Sequence, residues 1–365
     1  MNNIIAYAQT NLNTFDVQPF GPVDSLILSS LAYIHFPQDL SDLNCWKGIR
    51  LCELYRAEYF DEMFSHILVM QEDLKQLFFT LAASPRFRDL RIMGFTEQWD
   101  EATQKQFSAT TFQFAPDFTY VAFRGTDASL IGWKEDFNMA FQFPIPSQQE
   151  AVKYLEKASF YCSGTFFVGG HSKGGNLAVY AAAMCQKDTQ ERISAIYSHD
   201  GPGFLETVLG SKEFQQITSR IQKTLPQSSI VGMLLENQEE FQIVKSSRSG
   251  LLQHDPFSWI VENKEFVCIE KLARDARFAD KTLTDWLHGI SAEDRERFVD
   301  SLYTVLTSGG LTTVDDLRKD WHTALPATIH AMTQLDSDTK KFLLHTLKEL
   351  ASLGLKNVPL LGKSQ

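Results

Sequence analysis

Three residues of this chain have the types and the order needed to transfer an acyl group: Ser172, Asp200 and His254. A serine hydroxyl is a weak nucleophile until a neighbouring base takes its proton. An imidazole can do this near neutral pH, and a carboxylate behind it fixes the ring's tautomer. Ser172 lies in Gly170-His171-Ser172-Lys173-Gly174, which fits the G-x-S-x-G pattern. A sharp strand-to-helix turn needs glycines two positions to either side, because the serine backbone is strained and a Cβ at either site would collide with the crossing elements. Such a turn lifts the hydroxyl above the sheet edge, at a helix N-terminus whose free N–H groups favour developing negative charge. An ordinary glycine-rich strand-to-helix turn is the alternative for these five letters. A phosphate loop does not fit, since Gly170 stands where its lysine is needed and His171 where Ser or Thr should be.

The flanking sequence is read for elements that could position these groups. The apolar run Phe166-Phe167-Val168 predicts a buried strand, and Leu177 to Met184 predicts the helix after the turn. Upstream, Phe118 to Phe123 reads as a strand that ends in Arg124-Gly125-Thr126-Asp127. A hydrolase of this kind takes its second oxyanion donor from such a loop. Gly125 lets the backbone approach closely, and Thr126 offers an N–H and a hydroxyl. Asp136 could hold Arg124 and so fix the loop; the plain alternative is a turn with Arg124 in a structural ion pair. Downstream, Ile193 to Ser198 reads as the next strand, ending at His199-Asp200-Gly201-Pro202-Gly203, and Ser229 to Leu235 as the one after. The acid is therefore Asp200 or Glu236, the only acid close to the end of the later strand. Asp200 is favoured because it leaves its strand directly into a Gly-Pro-Gly turn. Phe241 to Lys245 reads as the last strand, followed by the loop that carries His254. The order Ser, Asp, His along the chain is that of the α/β hydrolases. Of the rival histidines, His171 is expected to point away from the hydroxyl, and His199 is too near Asp200 to complete the set easily.

Bulk properties narrow the class. The chain has 365 residues, 44% hydrophobic and 22% charged, which is ordinary for a soluble globular protein, while 28 phenylalanines suggest an aromatic core or an apolar pocket. Its net charge of −11 argues against nucleic acid and against electrostatic docking on anionic lipid. Five cysteines without C-x-x-C spacing indicate neither a zinc site nor a disulfide framework. The N-terminus lacks the features of a signal peptide, and no apolar run reaches the length of a membrane span. A cytoplasmic protein with reduced thiols is expected, needing no metal or organic cofactor.

The organisation reads as residues 1–90, a helical segment packed on the core; 91–268, an α/β core with a mostly parallel sheet flanked by helices; and 269–365, a helical extension. Asp61 to Ala83 carries helical spacing in the first part. Ala292 to Leu306, Val314 to Trp321 and Thr339 to Leu353 carry it in the last. This last block could serve as a cap, a homo-oligomer surface or scaffold.

Several separated motifs resemble the Mbeg1-like family of α/β hydrolases, related to the class 3 lipases. They are Val121 to Asp127, Trp133-Lys134-Glu135-Asp136-Phe137, Gly170 to Gly175, Ser198 to Phe204, Val231-Gly232-Met233-Leu234 and Gln253 to Trp259. The resemblance implies a serine hydrolase acting on a small-molecule or lipid ester, with Ser172 as nucleophile, His254 as base, and Thr126 and Lys173 at the oxyanion hole. The class 3 lipases place their acid in an Asn-Asp-x-Val-Pro-like segment, where this chain has Ser228-Ser229-Ile230-Val231-Gly232; that departure agrees with Asp200. A catalytically degenerate binding module, and an acyltransferase or thioesterase with the same three residues, stay open beside the esterase.

Overall fold

The computed structural model describes residues 2–273, apart from 38, 45, 66, 68, 69, 128, 140 and 236–239, and then 282, 285, 286, 289–307, 330, 332, 333 and 335–357. Its centre is a nine-stranded sheet. In order across the sheet the strands are β1 (Ile49–Arg50), β2 (Arg91–Asp100), β3 (Lys105–Ala115), β4 (Phe118–Phe123), β5 (Thr165–His171), β6 (Ile193–His199), β7 (Ile221–Pro226), β8 (Phe241–Val244) and β11 (Cys268–Ile269). The strands β4 to β8 are parallel and the edges antiparallel. A separate hairpin pairs β9 (Val261–Glu262) with β10 (Glu265–Phe266).

Both faces of the sheet are covered, as parallel strands require. On one side helices Ile4–Thr10, Pro22–Leu31 and Gln71–Ala83 pack over Phe112, Tyr120, Ala122 and Tyr197. Helix Pro22–Leu31 is buried almost all round. Its Asp24 caps the Gly21 N–H at 3.0 Å and pairs with the equally buried Arg86 at 2.7 Å. On the other side helices Pro146–Tyr161 and Lys173–Met184 cover Phe107, Val121, Phe123, Phe166 and Val168. A satellite cluster of Trp286, Phe298, Val299, Val305 and Leu343 takes in Phe141, and Lys134 of helix Leu130–Asn138 meets Asp300 of helix Ala292–Thr307 at 2.7 Å. The sheet, its helical layers and the strand-turn-helix at Ser172 make this an α/β-hydrolase fold.

Two element readings are corrected. Ser229 to Leu235 is not a strand but a turn containing the 3-10 helix Val231–Met233, and the strand there is β7, about eight residues earlier. The apolar letters misled because β7 (Ile221-Gln-Lys-Thr-Leu-Pro226) carries polar residues, of which Lys223 and Thr224 are buried. Asp61 to Ala83 is not one helix but two, Phe60–Met63 and Gln71–Ala83. The second starts at Met70 with φ 69°, and the Gln71 amide donates to the Phe64 carbonyl at 2.6 Å. Toward the C-terminus, Ala292–Thr307 and Ser337–Asn357 are helices, Ser291 capping the first by accepting the Asp294 N–H at 3.1 Å. The helix expected over Val314 to Trp321 lies outside the described residues. Among the described residues no helix is long and apolar enough to cross a membrane.

Candidate active site

Strand β5 runs into Ser172, which has φ 59° and ψ −134°, and helix Lys173–Met184 starts at the next residue. A non-glycine residue at that φ is strained. The neighbours that over-determine it are close. A Cβ on Gly170 would lie 2.3 Å from the Gly174 carbonyl carbon, and one on Gly174 would lie 2.1 Å from the Phe123 oxygen. The spacing of the two glycines thus lets strand, helix and β4 cross at backbone contact. Ser172 is 9% exposed, and among the described residues its hydroxyl has no hydrogen-bond partner.

The loop after β4 lies against this turn. A Cβ on Gly125 would lie 2.6 Å from the His171 oxygen and 3.0 Å from Ser172 Cβ. The Thr126 hydroxyl donates to the Asp136 carboxylate, at 2.8 and 2.6 Å to its two oxygens. That hydroxyl is therefore committed, and only the Thr126 N–H remains of the two donors read from the sequence. Among the described residues neither the Thr126 N–H nor the Lys173 N–H makes a hydrogen bond. Burial pushes the Asp136 carboxyl up to about 6, against the pull of the Lys173 ammonium and the Thr126 hydroxyl.

Arg124 does not pair with Asp136 as expected. It is buried, and it meets Glu97 of β2 at 2.5 Å, with Asp127 at 3.9 Å. The register explains the choice. Glu97 stands opposite Ser108, so Glu97 and Arg124 share a face of the sheet two strands apart, whereas Asp136 is on the helix beyond the loop. Burial opposes ionisation of Glu97, yet His35 at 3.0 Å and Arg124 hold its carboxyl down at about 2.

Lys173 sends its side chain away from the turn into a buried cluster. Its ammonium donates to the Gln106 carbonyl and side-chain oxygens at 2.8 Å each and to Glu135 at 3.0 Å. Glu135 also accepts the N–H groups of Gln106 and Ser147, both at 3.0 Å. This pair ties the helix after the Gly125 loop to the helix after Ser172, a role the sequence reading, concerned with the Lys173 N–H, did not see.

Asp200 follows β6 at φ 50° and is fully buried. Its Oδ2 lies 2.6 Å from His254 Nδ1. Its Oδ1 accepts the Ser229 hydroxyl at 2.5 Å and the Gly232 N–H at 3.1 Å. The segment misread as a strand is thus the cradle of this carboxylate. With Nδ1–H given to Asp200, the other nitrogen of the His254 ring is left able to accept a proton. His254 ends the 3-10 turn Gly250–His254, with its side chain 29% exposed. Glu236, the alternative acid, lies outside the described residues. His199 is fully buried, 3.0 Å from Ser25 and 3.2 Å from Thr224, and burial takes its pKa down to about 3.

His171 is buried and fully engaged. Its Nε2 donates to the His254 carbonyl at 2.8 Å, its Nδ1 lies 3.2 Å from the Tyr33 hydroxyl, and its ring is 4.6 Å from that of His254. Burial, with His254 adding to it, holds its pKa well below the usual histidine value.

Comparison with known proteins gives a match to a family model described as Mbeg1-like over residues 81–304. The chain is similar to the Rhizomucor miehei lipase in its propeptide complex, with 17% identity over 44% of this chain and 58% of that one and a TM-score of 0.33. It spans less than two thirds of that lipase. It is similar to the lipase of a fungal lipase–inhibitor complex (15%, 61% and 78%, TM-score 0.38) and to M37 lipase (16%, 57% and 68%, TM-score 0.33). Likenesses of this size carry no information about the reaction. No curated protein matches the chain.

Proposed function

The chain belongs to the Mbeg1-like family, and from there we propose that it is a serine hydrolase that cleaves carboxylic esters by acyl transfer to water. The observation that carries this reading is the pairing of His254 with Asp200 at 2.6 Å, in an imidazole whose other nitrogen is able to act as a base, in contact with His171, the residue before a serine held in a strained turn.

In the proposed reaction His254 takes the Ser172 proton as Ser172 attacks the ester carbonyl. Asp200 holds the ring in the Nδ1–H tautomer and stabilises the imidazolium that forms. The uncommitted N–H groups of Lys173 and Thr126 receive the negative charge of the tetrahedral intermediate, the first at a helix N-terminus. His254 then returns its proton to the leaving alcohol, and water repeats the sequence on the acyl-enzyme. Asp136 would anchor the Thr126 loop through the hydroxyl, and the buried Lys173–Glu135 pair would contribute stability where the helix after that loop meets the helix after Ser172.

The experiment is labelling of the full chain with a fluorophosphonate, with Ser172→Ala as control, followed by turnover of p-nitrophenyl esters of graded chain length. We expect labelling confined to Ser172 and turnover abolished in Ser172→Ala and His254→Ala. A chain that does not label, or labels equally as Ser172→Ala, is a binding module or an enzyme with another nucleophile. Turnover accelerated by an added alcohol or thiol acceptor would move the assignment to acyl transfer.

A further inference from the structure

Tyr33 and His171 form a chain of hydrogen bonds that no step of the proposed reaction uses. The Tyr33 hydroxyl packs against the Gly125 backbone, where an added Cβ would lie 2.2 Å from its oxygen. The Tyr33 hydroxyl lies 3.2 Å from His171 Nδ1, and His171 Nε2 lies 2.8 Å from the main-chain oxygen of His254. A carbonyl only accepts, so Nε2 carries the ring's proton. In the neutral ring Nδ1 is then an acceptor, and the phenol donates to it. The depressed pKa of His171 agrees with a neutral ring. Both hydrogen bonds therefore have one donor and one acceptor, and the chain runs in a single direction from Tyr33, packed on the Gly125 loop, through residue 171, to the turn that carries His254.

These are the three segments a serine hydrolase must hold in mutual register, and they come from the ends of different elements. Asp200 sets the rotation of the His254 ring, but nothing in that bond sets the position of the His254 main chain. The His171 N–H supplies this second restraint.

We propose that Tyr33 and His171 are positioning residues, a neutral relay that fixes the oxyanion loop, the nucleophile and the base relative to one another. This rests on the serine-hydrolase reading above. A misplacement of about 1 Å at a reacting group costs on the order of 100-fold in rate, so a relay that removes such freedom would act on kcat rather than on substrate affinity. A histidine and a tyrosine that merely fill space would instead move stability and leave the rate of the folded fraction alone.

The test uses the full chain with Tyr33→Phe, His171→Gln and both together, read by the rate of fluorophosphonate labelling, by kcat and KM on p-nitrophenyl butyrate, and by Tm. Phenylalanine keeps the ring and removes the hydroxyl, and with it the bond to His171 and the contact with Gly125. Each single variant is expected to lower kcat and the labelling rate about 10- to 100-fold with KM within about twofold. The double variant should be no slower than the slower single, because links in series are lost together. The ¹⁵N signals of His171 in the unsubstituted chain should be those of the Nε2–H tautomer. Unchanged kcat and labelling in both single variants, multiplicative losses in the double, or an Nδ1–H tautomer each overturns the relay while leaving the hydrolase reading intact. An unsubstituted chain that neither labels nor turns over ester removes both.

Discussion

Asp200 and His254 meet at 2.6 Å across 54 residues of chain, and the oxygen of Asp200 that does not face His254 is held by Ser229 at 2.5 Å. The carboxylate is fully buried, so its lone pairs depend on these protein donors. Asp200→Asn places an amide where Ser229, the Gly232 N–H and His254 all donate, and a donor then faces a donor. The favoured escape is the wrong His254 tautomer, so kcat on p-nitrophenyl esters should fall by about 10³- to 10⁴-fold with the chain folded. Ser229→Ala removes one charge-assisted bond and should cost about 1.5–3 kcal/mol in urea unfolding, with a far smaller loss of kcat. An Asp200→Asn variant within tenfold of the parent would assign the acid elsewhere.

The Asp136 carboxyl contributes a pH dependence of stability with a definite sign. Its pKa rises from 3.8 to about 6 on folding because it is buried, so between these values the folded chain binds more protons than the unfolded one. Stability from this group is therefore fully present below pH 3.8 and is lost as pH rises toward 6, by at most about 3 kcal/mol and less where water still reaches the carboxylate. Asp136→Asn keeps an acceptor for Thr126 and should flatten this part of the profile in denaturant titrations at pH 4, 5 and 6.5. A variant with the parent's slope in that window would show that Asp136 is not the group responsible.

Lys173 and Glu135, 1% and 0% exposed at the side chain, form an ion pair whose partners cannot be removed singly without loss. Lys173→Met leaves Glu135 buried and uncompensated and should destabilise by about 3–5 kcal/mol. Lys173→Met with Glu135→Gln should recover much of this, since glutamine still accepts from Gln106 or Ser147 and the uncompensated charge is gone. Ester turnover by the folded double variant should stay near the parent's, because the proposed reaction uses only the Lys173 N–H. A double variant as unstable as the single, measured by urea unfolding, would show that the charge pair is not the source of the cost.

Gly125→Ala tests the close approach of the oxyanion loop. The new methyl group would lie 2.2 Å from Tyr33 Oη and 2.6 Å from the His171 oxygen, and a backbone oxygen yields only by moving the loop or the elbow strand. Unfolding should show a loss of about 1–3 kcal/mol, typical of overpacking. Fluorophosphonate labelling of the folded variant should be slowed by at least about 100-fold through the displaced donor. Parent-like labelling would separate Gly125 from the placement of the Thr126 N–H.

Much of the fold was legible because its signals are local. The glycines at 170 and 174, the apolar letters of β5 and the helical period after Lys173 lie within a few residues of one another and determine a strand, a turn and a helix by themselves. The order of Ser172, Asp200 and His254, and the placing of Asp200 at the end of β6, followed from the same kind of reading. Strand β7 was missed because Lys223 and Thr224 are polar yet buried, and burial is not written in the letters.

What only the tertiary structure decided are the partners. Arg124 goes to Glu97 rather than Asp136, the Thr126 hydroxyl goes to Asp136, Ser229 closes around Asp200, and Tyr33 reaches His171 from 138 residues away. Each of these choices depends on which side chains the sheet register and the helix docking bring within about 3 Å, the range over which a hydrogen bond is made or missed. Residue type limits what a side chain can bond to, but several partners of the right type stand in this sequence for each. The packing of the chain selects among them, because a buried polar group left without a partner costs more than almost any local preference can return.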